Sequence, residues 1–261
     1  MTDQPWLSIV TVVKDAPAEL ARSLTSLSIQ DLSEVEYCVI DSSADRDSAP
    51  STLASAGLES AYQWTAPAGI YAAMNLGLAQ AQGRYIYFLN AGDELRPGVL
   101  ERVRALAERT DASWLIGTVE VIAANGSSVI TPAWDFAAEQ RALFARGHFA
   151  PHQGTFASVR ELRSVGGFDP GFRIAADYAA FLQLTKLSTP VMIDFPIARF
   201  HEGGLSTQRW RESFREFHLA RRTILKPRGT AAARELLETS RRFIAVGIYR
   251  GIWSKVVRRD Q

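Results

Sequence analysis

The chain has 261 residues but only one cysteine, four histidines and three methionines. A lone cysteine excludes a disulfide framework. Cys38, inside the apolar run 35–40, reads as core packing in a reducing compartment. No run of about 18 apolar residues is present to span a bilayer. The first residues, Met-Thr-Asp-Gln-Pro-Trp, lack the basic and apolar regions of a signal peptide, so a cytoplasmic location is expected. Internal repeats, low-complexity runs and Pro-rich linkers are absent, and no nucleic-acid-binding motif is visible. Net charge is also nearly absent, at +1, yet that figure hides an asymmetry. Residues 207–261 carry 14 Lys and Arg against 5 Asp and Glu, so an acidic body precedes a basic tail.

What is present is an ordinary globular composition, 47% hydrophobic and 22% charged, long enough to bury a sizeable core. Elements alternate from the start. Residues 7–13 form a continuous apolar run, as strands buried on both faces do, and residues 18–28 place Leu20, Leu24 and Leu27 on one helical face. A second strand over 35–40 ends in Asp41-Ser42-Ser43, so Thr11 and Asp41 are expected at one rim. A weaker helix over 49–56 and a short strand near 62–64 follow. Gly69 lies in a loop running into a helix whose first amides are placed to face a phosphate.

The central stretch is Tyr85-Ile-Tyr-Phe-Leu-Asn90-Ala-Gly-Asp93. It is a buried strand that stops in turn chemistry at its carboxyl end, the edge where open α/β sheets bind ligands. Asp93 there is a candidate metal ligand; the competing reading is a cap for the helix over 97–109. Residues 113–122 and 127–131 read as a hairpin turned at Asn125-Gly126, where the pattern changes from alternating to antiparallel. His152-Gln153 enters a further strand, a helix over 160–165 follows, and Asp177 lies in the first turn of a helix running to 187. A last strand covers 191–195, His201 opens a glycine-bearing loop at 199–206, and the chain then reads as basic, aromatic helices.

Taken together, these motifs resemble the family 2 glycosyltransferases of the GT-A fold, over roughly residues 7–206. The closest likeness is to bacterial enzymes that build cell-surface polysaccharides and glycolipids. The resemblance implies a Rossmann-like, mostly parallel central sheet, a smaller antiparallel acceptor-side subdomain and a C-terminal helical extension at 207–261. The donor half would cover about 7–95 and the acceptor half about 110–206. It further implies inverting transfer from a nucleoside diphosphate sugar to a glycan or lipid-linked acceptor. Asp177 would be the general base, and Asp93 would hold a divalent Mn²⁺ or Mg²⁺ with His201 as a further ligand. Thr11, Asp41, Gly69, Asn75 and Asn90 fall on the donor side, and His152 and Gln153 on the acceptor side.

The chemistry asks for the same parts. A leaving diphosphate needs its developing charge neutralised, and a sugar hydroxyl needs a carboxylate to take its proton. This chain departs from the family pattern at Gly92, where adjacent aspartates are common, so Asn90 is the substitute for the ribose contact. The basic tail is expected to meet an anionic membrane surface or to form a homodimer contact; the alternative is packing on the catalytic body. Two further functions stay open: a nucleotidyltransferase, and a non-catalytic nucleotide-sugar binder.

Overall fold

A computed structural model describes residues 4–123, 125–131, 147, 151–201 and 209–257. The amino-terminal part alternates strand and helix: β1 (Leu7–Val13), α1 (Pro17–Ser28), β2 (Val35–Asp41), α2 (Ser48–Ala56), β3 (Ala61–Trp64), α3 (Ile70–Gln80) and β4 (Tyr85–Phe88). A two-residue strand, β5 (Glu94–Leu95), precedes α4 (Val99–Thr110). Then come β6 (Trp114–Ile122), β7 (Ser128–Ile130), a 3-10 turn at His152–Gly154, β8 (Thr155–Ser158), α5 (Val159–Ser164), α6 (Ala176–Leu184) and β9 (Val191–His201). Two helices close the chain, α7 (Trp210–Leu225) and α8 (Gly229–Val257).

Among the described residues, the nine strands form one sheet, in the order β3-β2-β1-β4-β8-β6-β9-β5 with β7 against β6. The β3-β2-β1-β4 block is parallel, and β8 joins it antiparallel to β4 and β6. The expected antiparallel strands therefore extend the main sheet; they do not build a second one.

Strand β1 shows why its sequence is apolar throughout. Leu7, Ile9 and Val13 pack with Leu20, Leu24 and Leu27 of α1 on one face, while Val10 and Val12 pack with Met74 and Leu78 of α3 on the other. Helix α3 lies so close that a Cβ on Gly77 would stand 2.3 Å from a Val10 methyl, which only glycine avoids. Cys38 is buried in the α3 face, and burial pushes its thiol up to about 11, as fits a packing residue.

Some boundaries differ from the sequence reading. Strand β9 runs on through Arg199, Phe200 and His201, where a loop is expected. Its Pro196 is accommodated at a register irregularity opposite Thr118, and pairing with β6 then resumes from Ala198 to His201. The glycine-bearing loop at 202–206 and the boundary at 206/207 lie outside the described residues. Helix α7 packs against α6: Phe217 sets its ring edge-on to Tyr178 at 4.6 Å, and Ala220 is buried in the same cluster.

Candidate active site

A cavity of about 910 Å³ opens beyond the carboxyl ends of the parallel strands. Tyr71, Asn90, Asp93, His152, Asp177 and His201 all line it. Its floor is the Asn90–Asp93 turn after β4, and helix α1 holds that turn. Ser23 Oγ donates to the Asp93 carbonyl at 2.7 Å and accepts from the Gly92 amide at 3.0 Å. The Gly92 amide also lies 3.1 Å from the Glu19 carbonyl, and Gly92 has φ +101°, a conformation that side chains rarely adopt. Glycine at 92 thus answers a backbone requirement of the turn.

Asp93 does not cap α4. That helix begins after Gly98, without a side-chain cap. The Asp93 carboxyl is instead buried, and burial pushes it up to about 7. His152, a hydrogen bond from Gln153 and His201 pull it back down, in that order of weight.

Across the cavity, Asp177 sits in the first turn of α6. Its Oδ2 lies 3.0 Å from His152 Nδ1, and its Oδ1 accepts from the Tyr178 amide at 2.8 Å with the Tyr71 hydroxyl 3.1 Å away. The Tyr71 hydroxyl also meets the Ile174 carbonyl at 2.5 Å. The other ring nitrogen of His152 stands 3.0 Å from Asn90 Nδ2. Burial tends to lower the imidazole's proton affinity, but the Asp177 hydrogen bond and charge, with the Asp93 charge, outweigh it and raise the value. A neutral His152 that donates Nδ1–H to Asp177 accepts from Asn90 through Nε2. Asn90 Oδ1 is then left buried without a hydrogen-bond partner.

The structure therefore brings Asn90, Asp93, His152, Gln153 and Asp177 together, and it separates several others. Thr11 lies two residues inside the end of β1, fully buried, donating to the Leu89 carbonyl at 2.7 Å and accepting from Tyr37 at 3.0 Å. It does not reach the rim, where Val13 is the residue paired with Asp41. Asn75 is likewise spoken for: its amide donates to the Phe168 carbonyl at 2.6 Å and accepts from the Phe168 amide at 2.9 Å, which fixes the turn before α6. Asp41 stands at the rim, accepting from the Ser43 amide at 2.8 Å and the Tyr62 hydroxyl at 2.9 Å. Gly69 precedes α3 with φ +99° and open space around its Cα. His201 lines the cavity at the end of β9, but its Nε2 meets Glu94 Oε1 at 2.7 Å.

Sequence reasoning missed Tyr71, although it lies within the Gly69-to-Asn75 motif, and Ser23, which reads as an ordinary helix serine. It also missed that the two C-terminal helices wall the cavity, through Phe214, Phe217, Arg221 and Arg242. Arg221 is buried and pairs with Glu235 at 2.8 Å, so the α7–α8 hairpin is tied at this wall. Among the described residues, no group of three or more His, Cys, Asp or Glu could hold a metal unaided. No described helix is long and apolar enough to cross a membrane.

Residues 8–162 match the model of the family described as Glycosyl transferase family 2. A Mycobacterium tuberculosis H37Rv protein, called an uncharacterized glycosyltransferase, is 28% identical over 215 residues, 80% of either chain. Among solved structures, residues 1–349 of TarS from S. aureus superpose with a TM-score of 0.68 at 16% identity, covering 92% of this chain and 72% of that one. The same fragment in complex with UDP gives a TM-score of 0.65 at 14% identity, covering 88% and 68%.

Proposed function

Because the chain belongs to glycosyl transferase family 2, we propose that it moves a sugar from a nucleoside diphosphate sugar to an acceptor hydroxyl with inversion, using Asp177 as base and Asp93 at the diphosphate. As a glycosyltransferase it is an enzyme, which sets aside both the nucleotidyltransferase and the non-catalytic binder. The observation that carries the proposal is the line Asp93, His152, Asp177 along one cavity. One carboxyl is held near neutrality by burial, and the other is fixed on two sides by Tyr71 and His152.

In this reading the donor half is residues 7–95 and the acceptor half about 110–206, with 207–261 as the extension that walls the acceptor side. Asp41 and Gly69 lie on the donor side, the first at the nucleoside and the second at the open amino terminus of α3. Asn90 lines the cavity with its Oδ1 unpartnered, which supports a place for it on the donor side. The residues fit a divalent ion in one way only. Asp93 is a single hard carboxylate, so an Mn²⁺ or Mg²⁺ would be held by Asp93 together with the donor; His201, which is paired with Glu94 at the end of β9, would be the further protein ligand. When bound, such an ion neutralises the leaving diphosphate and keeps Asp93 ionised. Asp177 takes the acceptor proton at Oδ2 or Oδ1. His152 and Tyr71 keep that carboxylate aimed into the cavity, which α7 walls on one side.

TarS in its solved complex holds UDP, which makes UDP-sugars the first donors to test. The acceptor side combines Phe200, Phe214 and Phe217 with Arg173 and Arg242, which suits a glycan or lipid-linked acceptor carrying an anionic group. The outer face of α8 exposes Leu237, Ile244 and Ile248, which supports peripheral contact with the cytoplasmic side of an anionic membrane. UDP release from a UDP-sugar panel with Mn²⁺ tests the enzyme reading: turnover in the wild type, and a fall of about 10²–10⁴-fold in Asp177→Asn with UDP binding retained, is expected. UDP binding without turnover of any sugar in the panel would overturn it. Liposome co-sedimentation of Ile244→Glu against wild type tests the membrane surface. Equal sedimentation would leave self-association as the use of that face.

A further inference from the structure

Helix α6 starts without help from its own sequence. Its N-cap is Ala175, which has no side chain to accept a hydrogen bond, yet Asp177 must be delivered from its first turn. The missing acceptor comes from α7. Glu216 Oε1 accepts from the Arg173 amide at 3.0 Å, and its Oε2 accepts from the Ile174 and Ala175 amides at 2.8 and 2.9 Å. Three consecutive backbone donors thus converge on one carboxylate, and the negative charge lies at the positive end of the α6 dipole.

Glu216 is held firmly enough to do this. The next residue, Phe217, packs on Tyr178, and Arg221 one turn further on reaches the Tyr178 hydroxyl at 3.4 Å. Helix α7 therefore grips the chain on both sides of Asp177, at residues 173–175 and at Tyr178. From the opposite direction, Tyr71 holds the Ile174 carbonyl.

We propose that Glu216 is a positioning residue for the base Asp177, which makes α7 a working part of the catalytic apparatus. The inference rests on the reading of Asp177 as the base. Glu216 touches no reacting atom. It fixes the segment that presents Asp177, and its effect should fall on turnover and not on the donor.

The test uses the full chain, UDP release from the UDP-sugar panel with Mn²⁺, and amide exchange over residues 173–178. Glu216→Ala is expected to lower kcat at least about tenfold with the donor KM changed less than about twofold, and Glu216→Gln, which keeps one acceptor, to recover part of the loss. In an Asp177→Asn background Glu216→Ala should cause no further fall, since the residue acts through the base. Amides 173–175 should exchange faster in Glu216→Ala than in wild type.

An unchanged kcat in folded Glu216→Ala, or a loss that adds in full to that of Asp177→Asn, would overturn the proposal, as would unchanged exchange at 173–175. If Glu216→Ala does not fold, Glu216→Gln carries the same kinetic and exchange comparison. Turnover at the wild-type rate in Asp177→Asn, with exchange still responding to Glu216, would locate the failure in the base assignment and leave the clamp in place.

Discussion

The rim around Asp41 and the wall around Asp177 are built on opposite principles. At the rim, each polar group is satisfied by a near neighbour or by the adjacent loop. Asp41 takes the Ser43 amide, Asp15 takes the Ala44 amide, and Ser43 takes the Asp15 amide, so the ends of two parallel strands lace together. At the wall, Asp177 depends on Tyr71 from α3, His152 from the 3-10 turn and, through its helix start, Glu216 from α7. The rim inherits its geometry from the sheet. The wall is assembled from side chains far apart in the chain, so one substitution can loosen the base without disturbing the donor face.

The sharpest way to expose that difference is Asp177→Asn. Loss of a general base is expected to cut turnover by about 10²–10⁴-fold, with UDP affinity kept, as kcat and calorimetric titration would report. His152→Ala should cost less, about 10–100-fold in turnover, because Asp177 loses a hydrogen bond but keeps its place on α6.

Asp93→Asn attacks the cavity floor, on the donor side, and carries a pH signature. The Asp93 carboxyl binds its proton more tightly in the folded protein, at about 7 against 3.8, so stability falls as pH rises through that interval. His152 acts in the same direction, its raised affinity giving stability that is present below its ordinary value and lost as pH rises through the raised one. Thermal melts at about pH 8 should therefore show Asp93→Asn more stable than wild type, by a few kcal/mol at about 1.4 kcal/mol per unit of relieved shift. The same variant should lose the Mn²⁺-dependent stabilisation by UDP. In wild type, that stabilisation should grow from about pH 6 to about pH 8 as proton competition fades.

Smaller effects bracket the comparison. Asn75→Ala should cost about 1–3 kcal/mol in denaturant unfolding by leaving the Phe168 backbone groups unpaired. Its UDP affinity should match wild type, since Asn75 supports the wall and not the donor. Thr11→Val should leave UDP affinity unchanged within error. A tenfold loss in either would return that residue to the donor site.

Much of this arrangement was legible in the sequence. Apolar runs bounded by turn residues marked β1, β2 and β4 closely, because strands buried on both faces admit little else. Asn125-Gly126 marked the hairpin, and Gly126 does take a positive φ of 82°. Asp93 stood out because it follows a strand stop, whereas Asp177 was marked by its likeness to the family's motif, since α6 begins after Ala175 with no side-chain cap. Thr11 and Asn75 were misplaced for a common reason. A small polar residue beside a motif looks the same whether it faces a ligand or bonds to the backbone, and only the partners, Leu89 and Phe168, decide. Glu216 left no signal because a helix surface glutamate is ordinary until another helix start is found beneath it. The tail's aromatic stripe divides between the two expectations: Phe217 of α7 packs on Tyr178, whereas α8 is mostly exposed over residues 229–248.

The sheet order has one further consequence. Going from β4 through β8, β6 and β9 to β5, the ladder of strands ends at Glu94, and residues 89–93 lead straight back to β4. Hydrogen bonds and covalent chain thus complete a closed circuit, with the Asn90–Asp93 turn as its clasp. Lengthening that clasp by a residue would slacken the whole circuit, whereas the hairpin tip at Asn125-Gly126, off the circuit, has room to grow. Asp93 is anchored by closure of the fold itself, which no side-chain contact alone could provide.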